Sequence, residues 1–123
     1  IDYGYTESGF GDTLQAMKAH EFVNPLEEPG EADVTVHVNF EALEQAARQS
    51  GARTHGPITQ AELLDRLGLT TRAETLMRKA SPQQAKDIKN ARERLIEPTE
   101  KGMGQLFKAL ALSHPEWPTP AGF

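Results

Sequence analysis

Period-two spacing puts Asp33, Thr35 and His37 in one row, with a carboxylate, a hydroxyl and an imidazole on one face of an extended segment. Such a row can orient a nucleophile and accept its proton. Val34, Val36 and Val38 fall on the opposite face. The same pattern also describes a half-buried strand with its polar face in water, and spacing alone does not choose between the two. Asp2-Tyr3-Gly4 is similarly two-sided. At the carboxyl end of a parallel strand these residues would face the crevice where open α/β sheets bind ligands, yet such turns also simply reverse the chain.

Other constellations fail on inspection. Gly9-Phe10-Gly11 is followed by Leu14 where a dinucleotide fingerprint needs glycine, and no G-K-[ST] phosphate loop occurs. Thr6 occupies the first glycine position of a nucleophile elbow around Ser8. His20, His37, His55 and His114 show no i,i+4 pairing, and the absence of cysteine removes thiolate ligands, so neither a metal site nor a disulfide framework is expected.

The elements that must position these residues follow from pattern and punctuation. Ile1-Asp2-Tyr3-Gly4 reads as the end of a buried strand, and Thr6 to Asp12 as a polar, glycine-rich loop. Thr13 to Phe22 fits a short helix or a strand equally well. Asp33 to Val38 alternates strictly and predicts one strand. Asn39 caps a predicted helix with apolar face Phe40, Leu43, Ala46 and Ala47, ended by Gly51. Ala52 to Ile58 is extended, with Gly56-Pro57 interrupting it. Capping-box spacing at Thr59, Thr71 and Ser81 predicts three successive helices, the last stopped by Pro98. Gly102-Met103-Gly104 reads as a loop. Leu106 to Leu112, apolar at both parities, is expected to be the central strand buried on both faces, and the proline-rich tail continues neither helix nor sheet. Lys108 in that strand is expected to snorkel or pair rather than act as a base. This order of strands and helices argues for an α/β fold.

Composition narrows the function classes. With 123 residues, 37% hydrophobic and 25% charged, the chain can form one domain with a core. Thirteen basic against eighteen acidic residues, a net charge of −5, disfavour nucleic acid as main partner, and the apolar runs fall far short of the ~20 residues of a membrane span.

Several segments together resemble the MidA-type S-adenosylmethionine-dependent methyltransferases, a family that includes the mitochondrial arginine methyltransferase of respiratory complex I assembly. The resemblance rests on Ile1-Asp2-Tyr3-Gly4, Gly11 to Ala16, Pro25-Leu26 to Pro29-Gly30, Ala32 to Phe40, Gly56 to Gln60, and Leu106-Phe107-Lys108 before His114-Pro115. It covers nearly the whole chain. It implies that residues 1–123 are the C-terminal portion of a Rossmann-like methyltransferase domain, truncated at its N-terminus, with a three-stranded mixed sheet and flanking helices. The implied strands end near Gly4, Ile58 and Ser113, the last antiparallel between the other two. The cofactor is S-adenosylmethionine, whose main binding motif lies upstream, so this portion alone is expected to be inactive.

The implied role is protein arginine methylation in the bacterial cytoplasm or the mitochondrial matrix. Asp2, Asp33 and His37 become catalytic candidates, with the two carboxylates gripping a guanidinium, and Tyr3, Gly4, Asp12 and Thr35 become substrate-binding candidates. Two positions depart from the pattern: Tyr5 stands where some members have His, and Asn39 where the family usually has Asp. Tyr5 donates a hydrogen bond but does not titrate near neutrality. The alternative reading is a non-catalytic protein-interaction module. In either case the outer edge of the first strand is expected to lack a partner, so that the portion self-associates through it.

Overall fold

The computed structural model describes residues 1–99 and 102–123. Its main sheet has four strands, β1 (Asp2–Tyr5), β5 (Val38–Asn39), β6 (Arg53–Thr59) and β7 (Phe107–Ser113), in the order β5-β1-β7-β6. β7 runs antiparallel to both β1 and β6, while β5 is parallel to β1. The three expected strands and the inserted antiparallel one are present. The fourth strand corrects the expected count, because Gly4 pairs with Val38 and Tyr5 with Asn39 on the edge that was expected to be bare.

Gly4 is what permits this pairing. A Cβ there would overlap the Val38 carbonyl oxygen and sit 2.9 Å from the Phe40 ring, so only hydrogen fits. Phe40 in turn is buried and opens α1 (Phe40–Gln49), whose first turn is capped by the Asn39 side chain accepting from the Ala42 amide at 3.0 Å. Of the predicted apolar face of α1, Phe40 and Ala47 are buried, whereas Leu43 is 47% exposed and Ala46 is exposed as well.

A second sheet is built from β2 (Gln15–Lys18), β3 (Glu21–Val23) and β4 (Asp33–Thr35), in the order β3-β2-β4 and all antiparallel. It settles the ambiguity over Thr13 to Phe22 in favour of strands. The turn between β2 and β3 is Ala19-His20, with φ of 51° and 67°, the doubly left-handed pattern of a tight hairpin whose twist matches its strands. The single strand predicted over Asp33 to Val38 does not form. The chain leaves the small sheet after Thr35 and enters the main sheet at Val38, and Val34 and Val36 are 56% and 57% exposed rather than facing a core. Alternation registered the extended backbone on either side of the crossing and had no means of registering the crossing itself.

The helical stretch holds α2 (Gln60–Arg66), α3 (Leu69–Met77), α4 (Pro82–Ile96) and the short α5 (Met103–Leu106). The capping boxes at Thr59 and Ser81 form as predicted, and hydrogen bonds from the Thr59 amide and hydroxyl hold the Glu62 carboxyl below its usual value. The box at Thr71 does not form. Gly68 adopts a left-handed conformation that closes α2 and starts α3 at Leu69, placing Thr71 inside the helix. The Gly102 to Gly104 loop is likewise replaced by α5, which packs so closely on the end of α4 that a Cβ on Gly104 would lie 2.6 Å from the Ile96 carbonyl oxygen. In β7 only Ala109 is buried, and Leu112 is 51% exposed, so the central strand is covered less evenly than its composition suggests.

Replacing Gly4 by Ala forces the overlap with Val38 and is expected to cost about 1–3 kcal/mol, as overpacking does. Gly9→Ala, with no atom within 4 Å of the added carbon, is the control and is expected to change stability by less than about 0.5 kcal/mol. Urea unfolding of the two variants checks the difference.

Candidate functional site

The carboxyl end of β1 gathers the side chains of interest. Tyr3 packs its ring edge-to-face against His37, with centroids 5.5 Å apart, and against Phe107 at 5.6 Å. The phenol thus sits between the sheet crossing and the first residue of β7. Alternation along β1 puts Tyr5 on the same face as Tyr3 and turns Asp2 to the opposite one, beside its cross-strand partner Lys108. Asp2 folds back on its own chain, where Oδ1 accepts from the Tyr3 amide at 2.8 Å.

Beyond β1 the loop is tied down by a clamp that the sequence did not reveal. The Ser8 amide donates to Glu41 Oε2 at 2.6 Å, and Asn39 Nδ2 donates to the Ser8 hydroxyl at 3.1 Å. The same Asn39 carries the helix cap, so one side chain holds both the start of α1 and the loop. Hydrogen bonds from Ser8, hydroxyl and then amide, hold the Glu41 carboxyl below its ordinary value. Asp12 makes a local turn, Oδ1 accepting from the Leu14 amide at 2.9 Å. Between these anchors Tyr5, Glu7, Gly9, Phe10, Gly11 and Thr13 line a cavity of about 230 Å³. The clamp joins residues 33 positions apart through an ordinary serine and glutamate, and only the capping signature of Asn39 marked its location.

Asp33 and Thr35 lie elsewhere. On β4 they share a face of the small sheet with Met17 and Gln15, their cross-strand partners, and with Phe22 beyond Met17. The row of Asp33, Thr35 and His37 is therefore divided between two structural units. His37 belongs with Tyr3 and the main sheet; Asp33 and Thr35 belong to the small sheet. Nor does the expected pair of carboxylates share a face, since Asp2 points to the far side of β1 from Tyr3 and His37.

Lys108 caps a helix end: Nζ donates to the carbonyl oxygens of Gln105 and Leu106, satisfying the end of α5, and partial burial lowers its pKa from the usual lysine value. The histidines are not all idle surface groups either. His55 is buried in β6 with Nε2 2.9 Å from the Ser113 hydroxyl, which itself donates to the His114 carbonyl. That hydroxyl is thereby occupied, and the pair ties β6 to the end of β7. Among the described residues no three His, Cys, Asp or Glu side chains are grouped as metal ligands.

These features define an α/β protein with a final antiparallel strand inserted between its neighbours and a site at the end of β1. The same fold occurs in two crystal structures of superfamily proteins from Burkholderia thailandensis. One is a native structure (TM-score 0.81) and the other is bound to S-adenosyl-homocysteine (TM-score 0.77), and both are 30% identical to this chain. They cover 99% of it, and it covers 34% and 33% of them. Residues 1–58 match the family model described as "Putative S-adenosyl-L-methionine-dependent methyltransferase". The mitochondrial protein arginine methyltransferase NDUFAF7 homolog of Drosophila melanogaster is 36% identical over 116 residues, 91% of this chain and 25% of that protein. Human NDUFAF7 is 31% identical over 112 residues, 90% and 24% of the two chains. The chain is similar to S-adenosylmethionine-dependent methyltransferases, as its resemblance to the MidA type implies, and spans about a quarter of the length of the curated relatives it matches.

The cavity beside β1, about 230 Å³, is by itself below the ~300–1,000 Å³ of pockets that enclose ligands of cofactor size, and the loop that lines it does not carry the glycine pattern of a dinucleotide fingerprint.

A lowered Glu41 pKa has a defined consequence for pH. The folded value lies below the unfolded one, so the stabilisation from the clamp is complete above the unfolded carboxylate range and is lost as pH falls through the folded value. The Ser8 amide resonance is expected to move with an apparent pKa below the normal glutamate range, and to lose that titration in Glu41→Ala. An NMR pH titration checks both.

Proposed function

We propose that the chain is the substrate-facing C-terminal part of an S-adenosylmethionine-dependent protein arginine methyltransferase. The observation that carries this reading is the joint match in sequence and fold to methyltransferase relatives, one solved with S-adenosyl-homocysteine, of which the chain accounts for only a part. The cofactor belongs to the remainder of such an enzyme; the residues present here form a wall against which the acceptor lies.

Within that wall the two units have different tasks. Tyr3, held between His37 and Phe107, is a rigid aromatic surface beside the end of β1, and Gly4 keeps that end close to β5. His37 is the catalytic candidate here because its imidazole, unlike Asp2, is on the same side as Tyr3. Thr35 and Asp33 meet the substrate polypeptide from the small sheet, where Met17 beside Asp33 and the exposed Phe22 beyond it add apolar area to the same face. Asp12, committed to its local turn, shapes the loop. Such a wall serves methyl transfer by positioning the acceptor and excluding water, which are effects of geometry more than of acid–base strength.

A chimaera in which these 123 residues replace the matching third of the Burkholderia thailandensis protein tests the reading. It is expected to bind S-adenosyl-homocysteine and to methylate an arginine-bearing protein. Asp33→Asn in the chimaera is expected to lower methyl transfer about tenfold with cofactor affinity unchanged. Equal loss of cofactor binding would make Asp33 a structural residue, and a chimaera that binds neither cofactor nor substrate would favour an interaction module.

A further inference from the structure

We infer that the cavity in the loop after β1 is a binding cup for a guanidinium group carried by the bound polypeptide. The inference rests on the methyltransferase reading for the identity of the partner, and on the cup's own chemistry for the rest. Its wall has two aromatic side chains, Tyr5 and Phe10, one carboxylate, Glu7, and the backbone of Gly9 and Gly11. Among the described residues Glu7 forms no ion pair, unlike Glu28, Glu44 and Glu93. Phe10 is fully exposed and Tyr5 half-buried, so the apolar surface is available to a ligand.

Aromatic side chains and an unpaired carboxylate lining the same cavity favour a cation, and a planar one most of all. A guanidinium is weakly hydrated, stacks on aromatic rings and presents parallel N–H donors to a carboxylate, whereas an ammonium is a compact and strongly hydrated charge. The space of about 230 Å³ suits one side-chain end rather than a whole cofactor. Two anchors hold the cup in shape without the ligand: the Ser8 clamp to Glu41 and Asn39 at its middle, and the pairing of Tyr5 with Asn39 at its root. Binding there would order little beyond the Phe10 ring and the Glu7 side chain, which keeps the entropic cost low.

The probes are N-acetyl-arginine methylamide, the lysine counterpart, and the citrulline counterpart, which has the shape of arginine without its charge. Each is titrated into the 123-residue chain at constant ionic strength, with binding followed by NMR at the amides of Tyr5, Glu7 and Phe10. The arginine probe is expected to shift these three amides and to bind about tenfold more tightly than citrulline or lysine, and Glu7→Gln is expected to remove that preference, a loss worth one charge-assisted contact. Phe10→Ala, at an exposed position that leaves the fold intact, is expected to weaken arginine and spare the amide shifts of β7. Equal binding of arginine and citrulline, or shifts confined to other residues, would overturn the cup. The chimaera separates this from the wider reading. Arginine binding without methyl transfer would uphold the cup and defeat the methyltransferase, while methyl transfer with KM unchanged in Glu7→Gln would uphold the methyltransferase and defeat the cup.

Discussion

The close approach of Gly4 to the backbone of Val38 is the constraint on which the rest of the site depends. With no side chain at that position, β5 can lie against β1 in parallel, and Phe40 can tuck its ring against the same glycine. The end of the strand, the start of α1 and the root of the loop are thereby fixed to one another within a few residues. Asn39 exploits this placement twice, capping the helix with one side-chain atom and holding Ser8 with another. Remove the close approach and the loop loses its fixed reference to the sheet.

The architecture divides the candidate chemistry between a firm part and an outlying part. Tyr3, His37 and Phe107 are packed across the main sheet, where β7 pairs on both sides. Asp33 and Thr35 ride on a small sheet whose strands, among the described residues, pair only with each other. A site assembled from these two units would bring a preformed aromatic wall up to a carboxylate on a separate support. That arrangement suits a polypeptide substrate, which must enter a cleft and be held along an extended stretch, better than it suits a small molecule enclosed on all sides.

Much of this organisation is legible in the sequence because it is local. The caps at Asn39, Thr59 and Ser81 are chemical instructions contained within four residues, and all three are obeyed. The apolar composition of Leu106 to Leu112 and the glycine after Asp2-Tyr3 likewise announce strands that exist, although Leu106 itself ends α5 and β7 starts at Phe107. What is not legible depends on long-range choice. The box at Thr71 is as well formed in sequence as that at Thr59, yet Gly68 begins the helix earlier and leaves the threonine nothing to cap. The alternation from Asp33 to Val38 cannot reveal that its two halves join different sheets, and so it grouped Asp33 with His37. The Ser8 clamp and the His55 bond to Ser113 join residues 33 and 58 positions apart and leave no periodic trace. The family resemblance, carried by segments rather than periodicity, supplied the order of β1, β7 and β6 that pattern reading alone does not provide.

The central claim is that β5 and the end of β1 form one fixed unit from which the loop and helix α1 are both positioned. Amide hydrogen exchange measures this directly, because a strand pairing that anchors the site must open rarely. The account predicts that the amides within residues 2–5 and 38–39 that take part in the pairing exchange nearly as slowly as those of Phe107–Ser113, and far more slowly than the loop from Thr6 to Leu14. Exchange in those two segments as fast as in the loop would show that the pairing is not the anchor, and the positioning of Tyr5, Ser8 and Asn39 would need another cause.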